Sequence, residues 1–85
     1  NDNKFLMHST VKEKLYSGAT CMGEGEIFLL ERIETKNNNS VPFEMIYAWI
    51  PIEGESRAYQ MYVYVPAGDD YAVWMKMIEQ LLQVN

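Results

Sequence analysis

Residues 43–52 read FEMIYAWIPI, and of these ten only Glu44 is charged. As a strand, the segment sends Phe43, Met45, Tyr47 and Trp49 to one side and Ile46, Ala48, Ile50 and Ile52 to the other. Both sides are apolar, whereas a strand in a small antiparallel sheet ordinarily gives one side to the core and the other to water. Two questions decide the fold: which strands flank this one, and what covers its second side.

Upstream, Glu26–Lys36 reads EIFLLERIETK, apolar on both sides at its start and charged on one side by Arg32 and Glu34, which predicts a strand over 26–36. The polar run Lys36-Asn37-Asn38-Asn39-Ser40 then serves as a hairpin loop into a strand over 42–52. Glu53-Gly54-Glu55-Ser56-Arg57 makes a second tight connection, and AYQMYVYVP forms a third strand over 58–66. Past Pro66-Ala67-Gly68, Asp69 or Asp70 can cap a helix over 70–83. Tyr71, Trp74, Met75, Ile78, Leu81 and Leu82 recur there at helical spacing, with Lys76, Glu79, Gln80 and Gln83 opposite.

Near the N-terminus, Thr10-Val11-Lys12-Glu13 fits the T-x-x-E capping box, Val11 and Leu15 lie one turn apart, and Gly18 suits a C-cap. This predicts a short helix over 10–17, with 1–9 loose or strand-like; the alternative sets KFLM (4–7) or KLYS (14–17) as an edge strand. The stretch SGATCMGEGE (17–26), with three glycines between 18 and 25, reads as a loop. The expected architecture is α+β, a two-layer sandwich of a three-stranded antiparallel meander and two helices in the order α-β-β-β-α, forming one compact domain over 1–85.

Setting Trp49 opposite Tyr62 and Tyr47 opposite Tyr64 sorts the side chains. Ile46, Ala48 and Ile50 join Met61, Val63 and Val65 on an aliphatic side suited to Trp74, Ile78 and Leu82 of the last helix. Phe43, Met45, Tyr47 and Trp49 join Tyr62 and Tyr64 on an aromatic side. Three covers are open to that side: Phe5, Leu6 and Met7 folded back over it, a second copy of the chain, or a different partner.

Composition narrows the function classes. A chain of 85 residues buries only about 60 to 65% of the surface that its unfolded form exposes, so it supports one core. Net charge is −5: residues 1–36 hold five basic and six acidic side chains, and 37–85 hold two and six. That balance works against direct nucleic-acid binding, which draws on Lys and Arg, and suits a basic protein partner. The order helix, three strands, helix is also the layout of double-stranded RNA-binding domains, but those need a basic surface and here the last helix offers only Lys76. Runs such as IFLL and MYVYVP fall far short of the ~20 residues of a membrane span, so no membrane insertion is expected. Cys21 is the lone cysteine, which excludes an internal disulfide and a Cys-rich zinc site and points to a reducing, cytoplasmic setting.

Candidate chemistry is sparse. His8 and Cys21 are the sole residues of their kinds, and a Cys-His nucleophile pair rests on nothing beyond their presence; a lone cysteine beside Met22 is more often a small packing residue. One histidine leaves a metal only carboxylates such as Glu24, Glu26, Asp69 and Asp70, and the last two are better explained as a helix cap. GEGE at 23–26 has two carboxylates that would repel phosphate, and Ser9, Ser17, Ser40 and Ser56 lack the G-x-S-x-G setting of a hydrolase. No cofactor or metal is expected. The sequence points to a non-catalytic interaction module, a regulator, inhibitor or immunity-type protein. Phe43, Tyr47, Trp49, Tyr62 and Tyr64 would anchor a partner protein, and Glu53, Glu55, Asp69 and Asp70 would form an acidic rim. The alternatives are a homodimer or small-ligand carrier using the same aromatic side, and an acidic nucleic-acid mimic.

Overall fold

The computed structural model describes residues 9–66 and 68–84. Strands β1 (Ser9–Thr20), β2 (Gly23–Lys36), β3 (Asn39–Pro51) and β4 (Ala58–Val65) form one antiparallel sheet in the order β1-β2-β3-β4, and helix α1 (Tyr71–Leu82) follows. The α+β class, the meander and the C-terminal helix are as read from the sequence. The three-stranded count and the N-terminal helix are not.

The predicted helix over 10–17 is the middle of β1, where Thr10 sits opposite Glu31 and Glu13 opposite Leu29. A two-turn helix has little stability of its own, whereas β2 is 14 residues long and its outer edge presents a row of backbone groups that need partners. Pairing supplies them, and tertiary demand overrides the local capping signal. The register of β1 breaks between Val11 and Glu13 and again between Lys14 and Tyr16, leaving Lys12 and Leu15 without opposite residues. These bulges re-aim side chains. Leu15 and Tyr16, adjacent in sequence, both pack on the core, and Lys12 reaches past β2 to Glu44 on β3 at 2.6 Å.

The predicted loop over 17–26 is likewise mostly strand: only Cys21 and Met22 turn, with Gly18 opposite Gly25 and Thr20 opposite Gly23. The Thr20 hydroxyl donates to the Gly23 carbonyl at 2.6 Å and accepts from Met22 N–H at 3.0 Å, closing the hairpin. Gly25 is there for closeness rather than flexibility. A Cβ at that position would stand 2.6 Å from Ile50 Cγ1 and 2.7 Å from the Trp49 carbonyl oxygen. The next hairpin turns on Asn37 and Asn38 alone, with φ of 54° and 66°, the left-handed pair of a two-residue turn that asparagine tolerates. β3 therefore starts closer to this turn than predicted, covering 39–51 rather than 42–52, and at the preceding hairpin β2 starts at 23 rather than 26. β4 ends at Val65 rather than Pro66, and the helix is one residue shorter at each end than the predicted 70–83.

One layer of helix covers one side of the sheet. Ile27, Leu29, Ile46, Ala48, Ile50 and Val65 meet Met75, Ile78 and Leu82 there, joined by Met61, Val63, Tyr71 and Trp74. Each aliphatic side chain so buried contributes roughly 1.5 to 3 kcal/mol. Asp70 caps the helix, its carboxylate accepting from Ala72 N–H at 2.9 Å, and Gln83 closes it in the left-handed conformation. Cys21 N–H donates to the Leu82 carbonyl at 2.8 Å, so the β1–β2 turn satisfies a helix-end carbonyl and ties the helix across the sheet. No helix among the described residues is long and apolar enough to cross a membrane.

The aromatic face of the sheet

On the side of the sheet away from α1, β3 and β4 pair Met45 with Tyr64, Tyr47 with Tyr62 and Trp49 with Gln60. The predicted pairing of Trp49 with Tyr62 and Tyr47 with Tyr64 is thus shifted by two residues. Side chains alternate with period two, so a two-residue slip leaves every residue on its predicted side while changing its neighbour. The β3–β4 connection takes up the difference: Ile52 N–H donates to Arg57 C=O and Glu55 N–H to Ile52 C=O, both at 3.0 Å, which fixes Pro51 opposite Ala58. β2 and β1 extend the face with Glu26, Phe28, Leu30 and Arg32, opposite Ser17, Lys14, Val11 and Ser9.

The face is not uniform. Its centre is dry: Leu30, Met45 and Tyr47 are buried, Tyr47 to 2% exposure, with Phe28 packed against them. Tyr47 O–H donates to Gln60 Oε1 at 2.8 Å, and burial pushes its pKa above the ordinary tyrosine value. The β4 side is wet: Trp49, Tyr62 and Tyr64 keep 39, 52 and 45% of their surface in solvent. Phe43 and Tyr62 each meet Tyr64 edge-on, at centroid separations of 5.1 and 5.9 Å, so three rings form a braced row. Phe5, Leu6 and Met7, offered by the sequence as one cover for this side, and His8 lie outside the described residues.

Clefts among the described residues touch this face. An apolar one of about 330 Å³ runs between Val11 on β1 and Trp49 on β3, floored by Phe28, Leu30 and Tyr47. Glu26 at its margin is held by Lys14, Nζ to Oε2 2.9 Å. A second, about 620 Å³, joins Trp49 to Glu55 and Arg57 at one end of the β3–β4 pair. The third, about 280 Å³, joins Phe43 to Asp69 at the other end.

Of the residues expected at a site, Phe43, Tyr47, Trp49, Tyr62 and Tyr64 share the face, but Tyr47 is part of its buried centre rather than an accessible anchor. The acidic residues are divided. Glu53 and Glu55 lie in the exposed β3–β4 connection, where Glu55 pairs with Arg57. Asp70 caps α1, and Asp69 accepts from Trp74 Nε1–H at 3.1 Å, so both have structural work on the helix. Val11, Phe28, Leu30 and Gln60 were missed. Val11 could have been found by reading TVKEKLY as a strand, and Phe28 and Leu30 by carrying the pairing of β3 across to β2, where they stand opposite Tyr47 and Met45; nothing local marks Gln60. Among the described residues no three His, Cys, Asp or Glu converge as metal ligands would, and Cys21 is exposed, its thiol 3.6 Å from the Leu81 carbonyl. Compared with family models, with characterised proteins and with solved structures, the chain matches none.

Proposed function

We propose that this chain is a small non-catalytic interaction module that docks on a partner protein through the β4 side of its aromatic face. One observation carries the reading: Trp49, Tyr62 and Tyr64 stay about half exposed on a rigid strand pair while their neighbours Met45 and Tyr47 are fully buried. Tyr and Trp are favoured interface anchors because they bury much area for few rotatable bonds, and rings already braced on a sheet lose little further freedom on binding. The cleft between Val11 and Trp49 would receive an apolar side chain of the partner. Net charge of −5, with Glu53 and Glu55 beyond Trp49, would steer a partner with a basic surface, raising the association rate more than the final affinity.

The test compares proteins retained by the tagged wild-type chain, by Trp49→Ala/Tyr62→Ala and by the helix variant Val73→Ser/Met77→Ser. A partner held by the wild type and the helix variant but lost from the aromatic variant supports the reading; one held equally by all three removes it. The same cleft also suits a small apolar ligand. Saturable binding of an apolar fluorescent probe, displaced by none of the captured proteins and abolished by Val11→Asp, would favour that second reading.

A further inference from the structure

Among the described residues the sheet has two outer edges, and they are built differently. The β1 edge is interrupted by two bulges and carries Lys12, Glu13 and Lys14, all exposed. These are the devices by which sheets keep other strands from pairing with them. The β4 edge has none of them: AYQMYVYV holds no charge, proline or glycine, and it pairs with β3 without a break from Ala58 to Val65. An uncharged, unbroken strand rich in tyrosine and valine is a template for a further strand.

We propose that β4 pairs antiparallel with β4 of a second copy of this chain, about a two-fold axis perpendicular to the sheet, joining two four-stranded sheets into one of eight. Such an axis keeps both helices on one side and sets same-face residues opposite each other. With Tyr62 on the axis, ring meets ring, Gln60 meets Tyr64 of the second copy, and Met61 meets Val63 on the helix side. Apart from Gln60 opposite Tyr64, each residue from Tyr59 to Val65 then has an apolar or aromatic opposite. The ends match as well. Antiparallel pairing brings Arg57, 75% exposed, beside the turn that carries Asp69 and Asp70 in the other copy. The arrangement is closed, because both β4 edges are consumed and the outward edges are the two bulged β1 strands, which explains why an unguarded edge need not lead to fibres. An eight-residue strand pair is small beside the ~1,600 Å² of a standard interface, the class in which weak and transient associations fall.

This edge shares Tyr62 and Tyr64 with the proposed docking face, but its test needs no partner. The unmodified chain is sedimented over a concentration series, and single cysteines at Gln60, Met61, Tyr62 and Val63 in a Cys21→Ser background are oxidised with diamide. The expected result is a monomer–dimer equilibrium, with Tyr62→Cys cross-linking roughly tenfold more completely than its neighbours. Only the axial residue meets its own copy within the ~7 Å Cα separation that a disulfide spans. Tyr62→Lys, which sets like charges across the axis, should shift the equilibrium to monomer, with its unfolding midpoint unchanged when both proteins are compared at a concentration low enough for the wild type to be monomeric. A single monomeric species at several hundred micromolar, equal cross-linking at all four positions, or a dimer indifferent to Tyr62→Lys would overturn the proposal. So would efficient cross-linking by Met77→Cys instead, which would place the junction on the exposed helix stripe of Val73, Met77 and Leu81.

Discussion

Tyr47 and Tyr62 stand opposite each other on one side of the sheet, yet they belong to different parts of the physics. Tyr47 is buried and its hydroxyl is committed to Gln60. Its folded pKa is raised by burial, so the native state favours the protonated phenol. The stability this contributes is complete below the unfolded value near 10 and is lost as pH climbs through the raised folded value. Unfolding free energies measured across the alkaline range should therefore fall above about pH 10, less steeply in Tyr47→Phe. Gly25 is the other residue whose role is set by its surroundings. Gly25→Ala drives a methyl into Ile50 and into the β3 backbone, and should cost about 1 to 3 kcal/mol in urea unfolding, although alanine is the better strand former. From the sequence Gly25 looked like loop flexibility, because what crowds it is a strand some 25 positions away.

At the scale of elements, the turns and the helix make separate commitments. Asn37 and Asn38 hold the β2–β3 register by adopting positive φ. Asn38→Ala should lower stability by about 1 kcal/mol, and Asn38→Gly should not, since only the alanine meets the left-handed penalty. The helix orientation is read by neighbours in sequence: Leu82 is fully buried and Leu81 more than half exposed. Leu82→Ala should cost about 2 to 5 kcal/mol and Leu81→Ala under about 0.5. The helix, β2, β3 and β4 were legible because their periodicity agrees with their final packing. β1 was not, because Thr10 and Glu13 satisfy a helix-start pattern locally while the demand that makes them a strand comes from β2. The two bulges hid it further by breaking the alternation that marks a strand. The aromatic face survived these errors since it depends on the parity of β3 and β4, which a two-residue slip preserves. The apolar cleft did not, because one wall of it is β1.

For the molecule as a whole, a sheet with one helical layer has a second side that must be explained. Among the described residues no second helix lies over that side. The buried centre around Leu30, Met45 and Tyr47 belongs to folding, whereas Trp49, Tyr62 and Tyr64 at the margin keep 39, 52 and 45% of their surface exposed. If charge steers the encounter, the association rate with a captured basic partner should fall as salt rises from low to physiological strength while the dissociation rate changes little. The division between fold and contact is the claim on which the functional reading stands, and urea unfolding of Trp49→Ala/Tyr62→Ala tests it most directly. The expected result is a loss of about 1 kcal/mol or less relative to wild type, as for exposed positions. A loss above about 3 kcal/mol, the range of truncated core aromatics, would make these rings part of the core and contradict the account.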